Sequence, residues 1–340
     1  MSRYSRKRMD SLPLHRVAIL RPYAQFLADV GAPVERGFQR VGLPYGVLEK
    51  VDSYVPSHRF YAFLTDMVRR EGIEGLGLHV GQKFGADNID PKMSRLLRQS
   101  STLYQGILKA CEFGNGSVSQ IKMGILLPPH SSNAFLYIHP SCGAVNPVVR
   151  HIGWFSVQTL IGIVREFSGP HWLPAEIGLM MPNEPRRDIR ERFPGVRLRV
   201  SQSCFYIIVP KARLSIPPLN FDAAEIAFTF EHTSDDLVGS LRQTLRSYVE
   251  ERDLNIEFAA EMCLTSKRSL QRKLRNAGTR YSKVLDLARF DVASQMLQDP
   301  DMKVLDVAHR LRYSDPAHFS RAFRRIAGVN PREYRMAHIH

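Results

Sequence analysis

The sequence predicts an α+β N-terminal domain followed by an all-α C-terminal domain in which two helix-turn-helix units are joined by a long helix. Three observations carry this reading. Helix-period and strand-period stretches alternate as far as about residue 216, and only helix-period stretches follow. A Pro-rich stretch opening with Ile216-Pro217-Pro218 marks the change. Between Ala260 and Tyr334 the chain then states one pattern twice. Ala260 is followed by Ser266 and the apolar pair Leu270/Leu274; Ala308 is followed by Ser314 and the pair Phe319/Phe323. A small Ala lets two helices approach closely, a Ser in the connection is a natural N-cap, and an i,i+4 apolar pair faces a core. One such match would describe any helical hairpin. Its duplication, with basic residues between the apolar ones, predicts two helices that enter the major groove of DNA.

The elements follow in order. Tyr23 to Val30, Pro33 to Val41 and Pro44 to Leu48 are short helical segments punctuated by Gly and Pro. Ser57 caps a longer helix through Phe60, Phe63, Leu64 and Met67 that ends near Gly72. Thr102 to Phe113 is another, with Leu103, Ile107, Leu108 and Cys111 on one face. Ser119 to Leu127 and Asn133 to His139 read as strands around the connection Pro128 to Ser132. Asn146-Pro147 starts a long apolar helix to about Phe167, with Pro in a compatible first-turn position. Glu176 to Met181, Val196 to Val200 and Phe205 to Val209 read as strands, with a helix over Arg186 to Phe193 between the first two.

After a capping run, Thr233-Ser234-Asp235-Asp236, the stripe Leu237, Leu241, Leu245 and Tyr248 opens the helical part. The expected domains are 13–216 and 235–338, with 217–234 as linker. Unit one covers 256–276, the connecting helix 282–298 and unit two 304–327. Val284, Leu285, Ala288, Val292 and Met296 or Leu297 form the inward face of the connecting helix, which Asp299-Pro300 ends.

At 340 residues the chain is long enough for two cores, and 44% apolar residues exclude wholesale disorder. The net charge of +14 suits an anionic partner. Residues 237–340 hold 19 Lys and Arg against 12 Asp and Glu, so half of the excess sits in the last third of the chain. The four cysteines, Cys111, Cys142, Cys204 and Cys263, lack the spacing of a metal site and read as reduced thiols. No metal or other cofactor is expected. Nor is there an apolar leader or an uninterrupted apolar run long enough to span a bilayer, so cytoplasm is expected. The opening Met1 to Arg8 reads as a solvated basic tail.

With Leu270 and Leu274 inward, Arg268, Gln271, Arg272 and Arg275 lie on the outer arc of the first recognition helix. Arg donates bidentately to guanine and Gln reads adenine, which makes Arg268, Gln271 and Arg272 base-reading candidates. Lys267, Lys273 and Arg275 are phosphate candidates. In the second unit Ala317, Ser320 and Arg321 are the base-facing candidates, and Arg324 and Arg325 the phosphate binders. Asp315 is read as a helix cap in preference to a cytosine contact. On the long N-terminal helix, Arg150, His151, Trp154 and Gln158 lie near one face and are the effector-pocket candidates. The competing reading of these four is core packing with a surface Arg.

Residues 237–335 resemble the DNA-binding domain of the AraC/XylS family of bacterial transcription regulators. The landmarks are Ser266 to Arg272, Leu287-Ala-Arg-Phe290, Val307-Ala308, Tyr313 to Arg324 and Gly328-Val-Asn-Pro331-Arg-Glu-Tyr334-Arg335. The family often has Gly in the turn of each unit where this chain has Leu264 and Arg312. A left-handed turn there costs a non-Gly residue about 1 kcal/mol. The front two thirds resemble the effector-binding or dimerisation domain of one branch of that family, called arabinose-binding-like. Gly31 to Pro44, Gly75 to Gly81, Trp172 to Pro174 and Phe193 to Val196 carry this likeness. The resemblance implies a mixed fold in place of a cupin-like barrel, a small-molecule signal, RNA polymerase as a partner, activation as the commoner role, and a homodimer through the N-terminal domain.

Two other classes compete. Some DNA-repair methyltransferases carry such a helical domain, but they have a reactive Pro-Cys-His-Arg, and here Cys142 sits in Ser141-Cys-Gly143. No Gly-x-Ser-x-Gly elbow is present either, so the chain is not expected to be an enzyme. The remaining alternative is an effector-independent regulator whose N-terminal domain only dimerises or binds a protein.

Overall fold

The computed structural model describes residues 11–73, 75–83, 90–141, 149–222 and 231–338; the side chain of Arg150 is outside this description. The chain forms two compact units, and neither is a single stretch of sequence. One unit joins the chain up to Leu14, residues 43–56 and residues from Thr233 onward; the other joins residues 15–42 and 57–232. The strands β1 (Leu14–Arg16) and β2 (Tyr54–Pro56) make a two-stranded sheet.

The larger unit is α+β. Its helices are α1 (Val17–Asp29), α2 (Val34–Val41), α3 (Ser57–Glu71), α4 (Leu76–Lys83), α5 (Pro91–Arg98), α6 (Leu103–Ser117), α7 (Val149–Ser168) and the short α8 (Arg187–Arg190). The sheet, of five strands among the described residues, runs in the order β3 (Ile121–Leu126), β4 (Asn133–Pro140), β7 (Phe205–Pro210), β5 (Glu176–Gly178) and β6 (Arg197–Arg199). β3, β4 and β7 pair antiparallel, with Ile121 opposite Pro140 and Asn133 opposite Pro210. β5 is antiparallel to β7 and parallel to β6.

Strict alternation along β4 buries Ala134, Leu136 and Ile138 on one face, where α7 packs. Thr102 caps α6, its hydroxyl accepting from the Gln105 N–H at 3.3 Å. The Asn115 amide ties α6 to β3 by bonds of 2.7 and 3.1 Å to the Met123 backbone.

Several expected elements are shorter. The strand expected to Met181 stops at Gly178, and the helix expected over Arg186 to Phe193 is a single turn. In both cases buried apolar residues and irregular backbone bonds continue past the element: the Leu179 N–H donates to the Arg199 carbonyl at 2.7 Å and the Phe193 N–H to the Arg190 carbonyl at 3.0 Å. The start expected for the long helix at Asn146-Pro147 lies outside the described residues.

Helix α4 lies directly on α7 because two glycines one turn apart face it. A Cβ on Gly77 would stand 1.7 Å from the His151 carbonyl oxygen, and one on Gly81 2.5 Å from the Gln158 Cβ. Backbone cannot yield as a flexible side chain can, so Gly77 fixes this approach.

The second unit is helical: α9 (Leu237–Arg246), α10 (Ile256–Met262), α11 (Lys267–Asn276), α12 (Tyr281–Met296), α13 (Val304–Arg310), α14 (Pro316–Ala327) and α15 (Pro331–His338). In the expected capping run it is Asp236 that caps α9, accepting from the Gly239 N–H at 2.8 Å. The expected stripe Leu237, Leu241, Leu245 and Tyr248 is buried, and Arg242 holds α9 to α12 through Asp291 at 2.7 Å. Two N-terminal pieces complete this unit. The Leu12 N–H donates to the Ser240 hydroxyl at 2.9 Å, the Ser247 hydroxyl donates to the Tyr54 carbonyl at 2.6 Å, and Lys50 pairs with Glu250.

Each helix-turn-helix unit turns in the same way. The Leu264 and Thr265 N–H groups return to the carbonyls of Glu261 and Ala260, both at 2.9 Å. In the second unit Arg312 and Tyr313 return to His309 and Ala308 at 2.9 and 3.0 Å. This double closure requires a left-handed residue just past the helix. Leu264 (φ +48°) and Arg312 (φ +60°) supply it without being glycine, so the left-handed turn considered in the sequence is present in both. Gly278 and Gly328, at φ +70° and +79°, end the two recognition helices at no such cost.

Two measurements test these constraints. Leu264→Gly is expected to raise stability by about 0.5–1 kcal/mol, because relief of the left-handed strain exceeds the added unfolded-state entropy and the Leu264 side chain is exposed. A urea midpoint below wild type would contradict it. Gly77→Ala is expected to cost about 1–3 kcal/mol by overpacking α4 against α7, and an unchanged midpoint would show that the two helices slide apart freely.

Candidate nucleic-acid interface

The two recognition helices, α11 and α14, begin with a side-chain cap. The Ser266 hydroxyl accepts from the Ser269 N–H at 3.2 Å. In the second unit the cap is Asp315, which accepts from the Ala317 N–H at 2.8 Å, and not Ser314. The second turn is one residue longer, so the seventh residue after Ala308 stands where the sixth stands after Ala260. With Ser266 aligned to Asp315, Leu270/Leu274 align with Phe319/Phe323. The row Arg268, Gln271, Arg272, Arg275 then aligns with Ala317, Ser320, Arg321, Arg324. Both rows have i, i+3, i+4, i+7 spacing, which is one helix face.

Burial fixes the direction of those faces. Leu270 and Leu274 are 0% exposed, and Phe319 and Phe323 2%. In the second unit an aromatic cluster holds the helix: Phe323 packs on Phe290 at 4.9 Å and on Tyr334 at 5.3 Å, and Phe319 on Tyr313 at 5.4 Å. The Arg289 guanidinium lies 5.1 Å over the Tyr313 ring, and Arg335 donates to the Leu297 carbonyl at the end of α12 at 3.3 Å. The connecting helix α12 has 16 residues, a rod of roughly 24 Å.

The candidate DNA contacts differ in how they are already engaged. Arg268, Gln271, Arg272, Ala317 and Arg321 are exposed, and Ser320 is half-buried. Of the phosphate candidates, Lys267, Arg275, Arg324 and Arg325 are exposed and Lys273 is half-buried. Lys267 pairs with Glu257 at 2.6 Å, Arg325 with Asp286 at 2.7 Å, and Arg321 more loosely with the cap Asp315 at 3.7 Å. Among the described residues Arg268, Arg272, Arg275 and Arg324 have no such partner. One cation was not singled out in the sequence. Arg280 shares with Gln271, Arg275, Thr279 and Ser282 the wall of a notch of about 370 Å³ at the end of α11. It follows the Gly278 turn, outside the helix periodicity that identified the others.

The effector candidates on α7 do not gather in one place. His151 and Trp154 border a cavity of about 620 Å³ with His79, Met181 and Arg186. Gln158 borders another, of about 470 Å³, with Arg98, Arg165 and Arg192. Trp154 is 2% exposed and stacked on Phe193 at 5.4 Å.

Burial pushes the Cys111 and Cys263 thiols up to about 11 and raises that of Cys204, the reverse of an activated nucleophile; Cys142 lies outside the described residues. Among the described residues no group of acidic, His and Cys side chains gathers as a metal site, and no helix is long and apolar enough to cross a membrane.

Comparison with known proteins gives two family matches. Residues 31–218 match the arabinose-binding domain of AraC transcription regulators, and residues 259–337 match a helix-turn-helix domain. The ornithine utilization regulator of Pseudomonas aeruginosa is 40% identical over 83 residues, 24% of each chain. The transcriptional activator RhaS of Escherichia coli is 33% identical over 84 residues, 24% of this chain and 30% of RhaS. The chain thus spans about a quarter of the length of these curated relatives. Among solved structures the regulator CdpR of P. aeruginosa aligns over 93% of this chain and 97% of its own, at 20% identity and a TM-score of 0.44. With one family match covering more than half of its length and the duplicated recognition helices in the rest, the chain belongs to the AraC family of DNA-binding transcription regulators, in the branch with an arabinose-binding-like N-terminal domain.

Proposed function

We propose that α11 and α14 enter the major groove of double-stranded DNA, with Arg268, Gln271, Arg272, Ala317, Ser320 and Arg321 toward base edges. Lys267, Lys273, Arg275, Arg324 and Arg325 take phosphates. The observation that carries this reading is the repeated four-position row on two helices closed by the same turn, with Arg268, Arg272, Arg275 and Arg324 uncommitted among the described residues. DNA reading is assigned to residues 235–338, sensing to 13–216, and 217–234 links them. The protein works in the cytoplasm as an activator that contacts RNA polymerase, and a small molecule in the α+β unit shifts it toward the competent state. The names of two relatives, an activator and a regulator of ornithine utilization, support that reading. A dimer formed through the N-terminal domain would engage two sites and gain affinity by effective concentration.

Arg272→Ala tests the base-reading assignment. A duplex selected from a random pool by the full chain is compared with an unrelated duplex in fluorescence anisotropy. Loss of about 1–3 kcal/mol lowers the affinity ratio between the two roughly 5- to 150-fold. An unchanged ratio removes Arg272 from the reading set. Arg275→Ala is expected to weaken both duplexes alike and to reduce the salt slope by about one, as loss of a phosphate contact does. For assembly, sedimentation of the full chain at tens of micromolar is expected to give a dimer, and a monomer with and without DNA would end that assignment.

A further inference from the structure

A cavity of about 100 Å³ lies wholly inside the α+β unit, enclosed mainly by Tyr23, Phe60, Phe113, Phe155 and Ile163. Of the effector candidates read from the sequence, His151, Trp154 and Gln158 do not border it. Its walls come from α1, α3, α6, α7 and the sheet, so no local pattern announces it.

The polar groups on the wall divide into engaged and unengaged. The Thr159 hydroxyl donates to the Phe155 carbonyl at 2.9 Å. The Asp90 carboxylate pairs with Arg16 and accepts the Lys92 N–H at 2.9 Å. His15 meets the Ser57 hydroxyl at 2.8 Å through Nδ1 and the Tyr61 hydroxyl at 3.5 Å through Nε2, and burial lowers its pKa to about 3, so it carries no charge. Ser156 also lines the wall and is half-buried. Two fully buried hydroxyls are left over. Tyr23 and Ser117 are 0% and 2% exposed, both line the cavity, and among the described residues neither side-chain oxygen has a hydrogen-bond partner. Buried hydroxyls without partners are costly and rare, and here two of them border one void.

We infer that this cavity is the effector site, and that its ligand is a small, neutral, largely apolar molecule whose carbonyl or hydroxyl oxygen is hydrogen-bonded by Tyr23 and Ser117. The inference rests on the effector control proposed above. A charged ligand is disfavoured because the one ionised group on the wall, Asp90, is already neutralised by Arg16 behind it, so the ligand's own charge would be buried without compensation. Size follows from volume. An apolar cavity of about 150 Å³ holds the six heavy atoms of benzene, so the ligand in one of about 100 Å³ is on the order of four heavy atoms.

The site is also placed to report occupancy. The chain passes from one compact unit to the other between Leu14 and His15, and again between Pro56 and Ser57. His15 lines the cavity and is hydrogen-bonded to Ser57, and Phe60, a turn further on, lines it too. A ligand therefore touches the chain just past the first crossing and a turn beyond the second, and a state that depends on those contacts gains population.

The test uses the full chain with acetone and propan-2-ol as neutral probes, 2-methylpropane as the oxygen-free control of the same shape and acetate as the charged one. Calorimetry is expected to show the two neutral oxygen-bearing probes binding at least about tenfold more tightly than 2-methylpropane or acetate. The double variant Tyr23→Phe/Ser117→Ala is expected to lose that preference and, when empty, to melt at or above wild type, since it no longer buries unpartnered hydroxyls. Hydroxyls that served only the fold would give the opposite: a lower melting temperature with affinity retained. Retained affinity in the double variant, acetate binding as tightly as acetone, or no binding of either neutral probe at millimolar concentration each overturns the site. DNA affinity separates the two readings. Probe binding with unchanged DNA affinity keeps the ligand site and removes effector control. An amino acid or sugar that alters DNA affinity equally in wild type and double variant overturns this cavity while effector control stands.

Discussion

The two apolar pairs under the recognition helices, Leu270/Leu274 and Phe319/Phe323, determine what the rest of the helical unit can present. Burying each of these side chains is worth about 1.5–3 kcal/mol. An exposed ion pair such as Lys267–Glu257 contributes about 0–1 kcal/mol. The core therefore sets the roll of each helix, and the surface charges follow it. Once the roll is fixed, helical spacing alone places Arg268, Gln271, Arg272 and Arg275 on the far side, and the same positions recur on α14. The aromatic cluster of Phe290, Phe323 and Tyr334 then ties that second helix to the connecting rod, so its outward row has a defined orientation.

The acidic neighbours grade the basic rows. Glu257 and Asp286 hold Lys267 and Arg325 at hydrogen-bond distance, and Asp315 stands 3.7 Å from Arg321 while capping its helix. Those cations must exchange a carboxylate for a phosphate or base, which lowers their net gain. Arg268, Arg272, Arg275 and Arg324 have no such exchange to make among the described residues. The part of the surface that carries most of the unbalanced field is thus narrower than the +14 of the whole chain suggests.

The helical unit was the more legible half. Its elements repeat a period, its helices end at glycines, and the left-handed turns at Leu264 and Arg312 were the strain the substituted glycines implied. In the second unit Asp315, read from the sequence as a cap, holds that role, and the Ser314 that the repeat pattern also offered does not, because the turn there is longer by one residue. In the α+β unit the strand and helix types were readable, but the ends of β5 and α8 were not, since burial and irregular backbone bonds both continue past them. The face of α7 chosen in the sequence was real as a helix face. Its residues nevertheless divide between two cavities, because α4 comes down on α7 at Gly77 and Gly81. Nor does any local pattern reveal that residues 43–56 fold with the C-terminal helices.

That last feature has a kinetic meaning. Ser247 bonds Tyr54 across 193 residues of sequence, and Ser240 bonds Leu12 across 228. Contacts of such separation close late, because the entropy of the loop must be lost before they form. On the ribosome the early segment emerges long before α9 exists, and its buried Leu43, Val47, Tyr54 and Val55 wait without their native cover. The α+β unit, completed by residue 232, is able to fold first and hold the ends of that segment close together, which shortens the search that follows. The order of synthesis and the order of assembly are then opposite for this stretch: it is made among the first and seated among the last.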